Sequence, residues 1–586
     1  MCGIYGIADK NKFGAQDIVN GLKQLEYRGY DSWGIAVTTD SLVKIDKHTG
    51  KIGEARSILP DSTTAIGHTR WATHGGVTDE NAHPHTDCKK DLAIVHNGIV
   101  ENYEDLRQTL LKKNHAFTSQ TDTEVVVHLI EEYMKSESFE LACQKAFNEL
   151  IGSNAIVVMD NGSKSIFAAR LGSPLVIGKG TDKYFIASDI TPFLDQTRTI
   201  YFLDEGEAVL IKNDKCIFYK TKTGKIFTPL FAQTTITKDA VSKGEFPHFF
   251  IKEIYEQVTT IPKTTKIDRK DLESVVSEIK KAKKIILLGC GTAYYCAVGS
   301  KYYFAKYGVD VSAYQASEFT PFLETIDENS LVIAISQSGE TAETLETVKY
   351  SLEKGATVIG VVNARGSSLE RIATMVIPVG SGPEIAVVST KAFSAQLAVL
   401  YQIARACNGE LENGRKDIEE YGKKLGAWLN ERTLDSIKEL AQKLIKTPHV
   451  FVIGRGVEYP FCLEFALKIK EASYIHAEGF AAGELKHGVI ALIEKGTPCI
   501  VLCSHDEEYP PILSTAAELK SRGAWIIGVG PKKAKEFDTY IQTFGAGSLT
   551  GLTAVVAGQL LGYYMALFQD LDPDKPRNLA KSVTVK

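Results

Sequence analysis

Two kinds of hydrophobic pattern divide the chain. Up to about residue 225, apolar runs of only a few residues stand between Gly, Asn and Asp turn signals: Ile35-Ala36-Val37, Ala65-Ile66-Gly67, Leu92-Ala93-Ile94-Val95, Ala155-Ile156-Val157-Val158 and Tyr184-Phe185-Ile186-Ala187. A helical period precedes them, because Ile18, Leu22 and Leu25 fall on one face of a helix that ends before Tyr27. Long parallel crossovers are mostly absent, so this part predicts stacked antiparallel sheets with a few helices, an α+β arrangement. Beyond it the pattern changes. Lys284-Ile285-Ile286-Leu287-Leu288-Gly289-Cys290-Gly291 and His449-Val450-Phe451-Val452-Ile453-Gly454-Arg455-Gly456 are each a buried strand, a Gly-x-Gly and a helical stretch. The runs 331–336 and 499–504 correspond in the same way, as do 358–362 and 525–529. Continuous apolar strands alternating with helices predict parallel sheets covered on both faces, and two copies predict two similar α/β domains. Between the two regimes, residues 233–243 are polar and Gly244 to Gln257 is amphipathic, which predicts a linker and a connecting helix. The expected division is residues 1–225, a join at 226–270, α/β domains at 271–425 and 426–571, and a tail at 572–586.

The totals narrow the function. At 586 residues the chain is too long for one core, and one domain per roughly 100–200 residues gives three or four. A net charge of −5 without a basic block argues against a nucleic-acid partner. No uninterrupted apolar run of about 18 residues is evident, so no membrane span is expected, and the start lacks the basic and apolar segments of a secretory signal, so a cytoplasmic protein is expected. The ten cysteines form no C-x-x-C pair and are expected to be buried small hydrophobes, Cys2 excepted. With no H-E-x-x-H and no His and Cys at zinc-ligand spacing, no metal and no cofactor are expected. Gly-x-Gly after a strand suggests a dinucleotide, but Tyr294 and Tyr459 stand where the third glycine belongs, and NAD is discounted.

Candidate chemistry begins at Met1-Cys2-Gly3-Ile4. Removal of Met1 would leave Cys2 with a thiol and a free α-amine, a nucleophile beside its own base. Arg70-Trp71-Ala72-Thr73-His74-Gly75 offers a guanidinium for a carboxylate, or else a surface cation. His96-Asn97-Gly98 offers an amide and a glycine N–H for an oxyanion, or else a hairpin turn. Asp122 in Thr121-Asp122-Thr123-Glu124 could pair with an ammonium or cap a helix. Ser336-Gln337-Ser338-Gly339-Glu340-Thr341 follows a buried strand and opens a helix with Ala342, Leu345, Val348 and Leu352 facing inward, a place for phosphate. The alternative is a plain N-cap at Ser338. The second copy has Ser504-His505-Asp506-Glu507-Glu508, whose three acids would repel phosphate. Lys468 and Glu471 are three apart and share a helix face, as a catalytic or a surface pair. His487 could be structural. Lys581 lies in a tail with Pro573 and Pro576 that should be extended, and such a tail needs a reason to be ordered.

Met1-Cys2-Gly3-Ile4, Tyr27-Arg28-Gly29-Tyr30-Asp31-Ser32, residues 67–75, Asn81-Ala82-His83-Pro84-His85 and His96-Asn97-Gly98-Ile99 together resemble the N-terminal-nucleophile glutamine amidotransferases. Cys290-Gly291-Thr292, residues 336–341, Val388-Ser389-Thr390-Lys391-Ala392-Phe393, residues 474–478, 483–488 and 576–585 resemble tandem sugar isomerase (SIS) domains joined to such a glutaminase. The resemblance implies that Cys2 attacks the glutamine amide, that Arg70 and Asp122 hold its α-groups, and that Asn97 and Gly98 form the oxyanion hole. Trp71 would gate ammonia, and residues 73–85, Thr73 and His74 among them, would close over the site. It further implies phosphate binding by Ser336, Gln337, Ser338 and Thr341, and sugar contacts from Thr292, Val387 and Ser389. Glu471 would shuttle a proton, His487 assist ring opening, Lys468 stabilise negative charge and Lys581 form a Schiff base. The implied substrates are L-glutamine and fructose 6-phosphate and the implied product glucosamine 6-phosphate, made by a homodimer whose site borrows a histidine near His476 from its partner. A related amidotransferase or deglycase on another phosphosugar, and a non-catalytic sugar-phosphate regulator, are the alternatives. Ala293 and Trp33 depart from the usual pattern, where serine and a small residue are common.

Overall fold

The computed structural model describes residues 2–212, 215–504 and 506–584, so Met1, His505 and Val585 of the motifs above lie outside the described residues. Two units emerge: one runs to Val241 and takes in the terminal segment from Ala580, the other runs from Ser242 to Leu579.

In the first unit an eight-stranded and a seven-stranded sheet are built from antiparallel pairs. Strand Gly3–Phe13 lies inside the larger sheet between Lys183–Ala187 and Ser62–Arg70. Strand Leu92–Gly98 pairs with Asn154–Asp160 in the other. Ile4, Ala36 and Ile66 of one sheet and Val95, Val157, Ala168 and Val209 of the other form one apolar cluster, the seam between stacked sheets. The outer face of the second sheet, with Ile94, Ile156 and Phe167, is covered by helices that supply Leu110, Val126 and Ala142. Helix Gln16–Leu25 covers the other sheet, and the expected face of Ile18, Leu22 and Leu25 is buried. Gly67 is needed there, since a Cβ would come within 2.6 Å of Ile18. Short strands Ile226–Phe227 and Ala232–Gln233 extend the two sheets at their edges, inside residues 226–270, the expected join.

The second unit holds two five-stranded parallel sheets of like order, Lys284–Gly289 and His449–Gly454 each standing second from one edge. The apolar runs expected to be strands are strands, the run 499–504 only as far as Leu502. Each Gly-x-Gly ends its strand in the same way. Gly291 and Gly456 have φ of +54° and +56°, and a Cβ on Gly289 or Gly454 would meet the backbone of the following helix at 2.7 and 2.3 Å. Helix Phe249–Lys263 buries Phe250, Ile251, Ile254 and Ile261, and its first free N–H groups, those of Phe249 and Phe250, donate to the Asp574 carboxylate at 2.9 and 2.8 Å. One helix comes near membrane length, although polar residues interrupt it, in keeping with the absence of an uninterrupted apolar run. Gly547–Leu567 is long and apolar enough to cross a bilayer, and its most apolar window is wholly buried. Thr553 and Gln559 interrupt the run in sequence but are buried with it, so it is the core helix of this unit. The cysteines also differ from expectation in part: Cys88 is exposed, and Cys216, Cys290 and Cys407 are half-buried.

Candidate active sites

Cys2 precedes the first residue of strand Gly3–Phe13, and Gly3 pairs with Thr69, so the strand register sets the thiol beside the end of strand Ser62–Arg70. The Trp71 N–H donates to Cys2 Sγ at 3.2 Å. Burial pushes the thiol up, while the positive charge at the chain start, the Trp71 N–H and the Arg70 and Arg28 guanidiniums pull it down. The Asn97 amide and Arg28 Nε donate to the Cys2 carbonyl at 3.0 and 3.1 Å. His68 orients that amide. Its Nε2 lies 3.1 Å from Asn97 Oδ1 and 2.9 Å from the His96 carbonyl, and burial lowers its pKa to about 3, so the ring is neutral and donates from Nε2. The Asn97 NH₂ is thereby left as the donor, to Cys2 and to Ser188 Oγ at 2.8 Å. Gly98, at φ +145°, could carry no side chain, because a Cβ would fall 1.9 Å from the Ser153 carbonyl.

Arg70 is buried and its guanidinium donates to the carbonyls of His74, Gly75 and Gly76, so it holds the loop after Trp71. Asp122 is buried, accepts the Val100 N–H at 2.8 Å and pulls on the Arg70 charge. Thr73 is exposed, His74 half-buried against Tyr103, and Asn81 braces the loop through Gly76 and Gln120. Trp33, the departure from pattern, is buried with its ring 4.8 Å from that of His48.

In the second unit, residues 336–341 turn from strand Ser330–Ser336 into helix Ala342–Glu353. Ser336 Oγ accepts the Gly339 N–H at 2.9 Å and Ser338 Oγ the Glu340 N–H at 3.2 Å. The capping position belongs to Thr341, whose side chain caps nothing, rather than to Ser338. Glu340 is the one acid in this loop, and its carboxylate accepts both the N–H and the hydroxyl of Ser368 at 2.8 Å. Gln337, Ser338 and Thr341 are half-buried. The second copy is arranged differently: Arg455 pairs with Glu508 at 2.6 Å, and Ser504 donates to the buried Glu458 carboxylate. Burial pushes Glu458 up to about 7.

Helix Glu458–Ser473 presents three charges on one face. Lys468 Nζ, fully buried, lies 2.6 Å from Glu471 and 3.2 Å from Glu464, and donates to Thr292 Oγ1 and the Ser389 carbonyl at 3.2 and 3.3 Å. Burial works against its charge, but the two carboxylates raise its pKa and keep it an ammonium. Glu464, also fully buried, is pushed up to about 7 by burial. Sequence reasoning missed Glu464, although its place four residues before Lys468 was the available signal. Ser389 Oγ donates to Glu384 at 3.0 Å, and the Val387 N–H to the Asp574 carbonyl at 3.0 Å. Thus Thr292, Ser389, Lys468 and Glu471 meet. His487 and His476 are exposed, and among the described residues no hydrogen bond or ion pair joins either to that group. Lys581 is half-buried in the terminal segment that packs with the first unit, where Ser173 and Thr584 hydroxyls lie 3.4 Å apart.

Comparison with known proteins agrees with both halves. Residues 45–209 match the Glutamine amidotransferase domain family, and residues 278–406 and 443–538 match the SIS domain family. The glutamine–fructose-6-phosphate aminotransferase (isomerizing) of Thermococcus kodakarensis is 41% identical over 604 aligned positions, covering 100% of both chains. That of Clostridium tetani is 40% identical with the same coverage. Among solved structures, the C-terminal domain of glucosamine-fructose-6-phosphate aminotransferase from Francisella tularensis covers 57% of this chain and 99% of its own, with 31% identity and a TM-score of 0.52. An amidotransferase region, a tandem SIS region and end-to-end similarity at this level place the chain in the family of isomerizing glutamine–fructose-6-phosphate aminotransferases.

Proposed function

We propose that this chain transfers the amide nitrogen of L-glutamine to fructose 6-phosphate, giving glucosamine 6-phosphate and glutamate. The observation that carries the reading is the 41% identity, along the whole of both chains, to a relative named for that reaction. In the proposed division, residues 1–225 hydrolyse glutamine, residues 271–425 bind the sugar phosphate and residues 426–571 carry most of the acid–base groups. The Cys2 thiol gives its proton to the α-amine and attacks the glutamine carboxamide, and Asn97 and Gly98 steady the oxyanion. Ammonia leaves, and water splits the γ-glutamyl thioester. Arg70 would exchange its loop carbonyls for the substrate carboxylate, with Asp122 on the ammonium, as the loop bearing Thr73 and His74 closes and Trp71 gates the ammonia.

At the sugar, residues Ser336, Gln337, Ser338 and Thr341 hold the phosphate, supported by a loop whose own acid is turned to Ser368. Lys581 forms the imine at C2, ammonia displaces it, and Glu471 carries the proton from C1 to C2. Lys468, kept charged by two carboxylates, offsets negative charge on the enolamine, and Thr292, Val387 and Ser389 position the sugar. His487 would assist ring opening, and a homodimer is proposed in which the site borrows a histidine near His476 from the partner subunit. No nucleic acid, membrane or cofactor is needed for these steps, and the cytoplasm would supply both substrates.

The test is to follow glutamate and glucosamine 6-phosphate from glutamine, with and without fructose 6-phosphate, in wild type and Cys2→Ala. Equal yields that need both substrates and vanish in the variant are expected. Glutamate without amino sugar would assign a different acceptor, and no glutamate at all would contradict the reading.

A further inference from the structure

Cys88, His115, His128 and Glu131 come from three segments of the first unit and converge. Cys88 follows the short strand His85–Thr86, His115 follows helix Tyr103–Lys112, and His128 and Glu131 share a face of helix Glu124–Tyr133. The Nδ1 atoms of the two histidines are 3.4 Å apart. Glu131 Oε2 lies 3.1 Å from His115 Nδ1 and 3.2 Å from His128 Nδ1. Cys88 Sγ lies 3.5 Å from His128 Nδ1 and 3.8 Å from His115 Nδ1. All four atoms fall within 4.8 Å of one another. A tetrahedron around an ion with metal–nitrogen bonds of about 2.0–2.1 Å and a metal–sulfur bond of about 2.3 Å has edges of about 3.3 Å between nitrogens and about 3.6 Å from nitrogen to sulfur. The nitrogen–nitrogen and nitrogen–sulfur distances match those edges, and the two oxygen–nitrogen distances are close to the edge of about 3.3 Å that a metal–oxygen bond of about 2.0 Å gives.

The surrounding groups favour a cation at the centre. His115 Nε2 lies 3.1 Å from Glu132 Oε2, which favours the proton on Nε2 and turns Nδ1 toward the other three atoms. His128 Nε2 faces Glu124 at 3.8 Å. The Glu131 carboxylate, both Nδ1 atoms and the Cys88 sulfur thus direct electron density at one point. Two protonated Nδ1 atoms at 3.4 Å would repel each other, whereas one metal ion satisfies all four donors. Sulfur and imidazole donors disfavour Mg²⁺ and Ca²⁺, and a four-coordinate S, N, N, O set suits zinc.

We propose that Cys88, His115, His128 and Glu131 form a tetrahedral structural site for Zn²⁺. All four positions come from the protein, so the ion has no open face for catalysis. It clasps the loop ends around helix Glu124–Tyr133, directly after Asp122. In that loop the Glu124 carboxylate already gathers the N–H and hydroxyl groups of Thr118 and Ser119 at 2.7–2.8 Å. The ion therefore braces the segment that presents Asp122.

The full-length chain, stripped with a strong chelator and reloaded with Zn²⁺ or Co²⁺ against a weak competing chelator, is measured by elemental analysis and absorbance. Expected are about one zinc per chain and, with Co²⁺, a thiolate-to-metal charge-transfer band. Cys88→Ser, a change at an exposed residue, abolishes the band and weakens zinc binding at least about tenfold. Chelation lowers the Tm of the wild type and leaves that of Cys88→Ser unchanged. Wild type that retains no stoichiometric zinc, or equal zinc affinity in wild type, Cys88→Ser and His115→Gln, overturns the proposal.

Discussion

At the scale of the residue, burial decides more of the chemistry than charge type does. His68 is neutral because it is buried, and that neutrality lets it donate to Asn97 Oδ1 and leave the amide NH₂ facing the Cys2 carbonyl. Lys468 is buried and still charged, because two carboxylates lie within 3.2 Å. Among the described residues Glu458 has no such partner: a serine hydroxyl donates to it, and burial lifts its pKa from 4.5 to about 7. The folded state therefore holds a proton there that the unfolded chain gives up. This contribution is complete below pH 4.5 and is lost as pH rises through about 7. At pH 8 the ionised carboxylate costs about 3 kcal/mol, so Glu458→Gln should unfold at higher denaturant than wild type at pH 8 and nearly with it at pH 4. Equal midpoints at pH 8 would contradict this. Residues set in local motifs, such as Cys2, Arg70, Asn97 and Asp122, were legible in the sequence as candidates. Glu464 and the four converging side chains around His128 were not, because 26 residues separate Cys88 from His115 and only the folded chain closes that gap.

At the scale of the element, the apolar alternation carried the architecture. Runs of β-branched residues between turn signals became strands, since nothing else buries both faces of such a run. Two features escaped that reading. Edge strands of two residues, Ile226–Phe227 and Ala232–Gln233, are mostly exposed and have no apolar period to read. Helix Thr550–Leu567 is buried all round, so its threonines and glutamine concealed a core helix as polar interruptions. The turn from strand Ser330–Ser336 into its helix depends on a glycine the sequence did place. Gly339 has φ +64°, and a Cβ would stand 2.2 Å from Ser367 Oγ. Left-handed backbone costs a residue with a Cβ roughly 1–2 kcal/mol, so Gly339→Ala should raise the KM for fructose 6-phosphate by about tenfold or more. An unchanged KM would show that the loop does not hold the phosphate.

At the scale of the whole molecule, one unit carries a thiol site and the other a lysine–carboxylate site. Similarity to relatives runs unbroken through both, at 41% over the full length. The central claim is that nitrogen released at Cys2 becomes the amine of the sugar. It is tested most directly by supplying glutamine labelled with ¹⁵N in its amide, fructose 6-phosphate and an excess of unlabelled ammonium, and reading the isotope in glucosamine 6-phosphate by mass spectrometry. Expected is product carrying ¹⁵N with little dilution by the external ammonium, and one labelled amine for each glutamate formed. Product whose nitrogen matches the external pool, or glutamate accumulating with no labelled amino sugar, would contradict it.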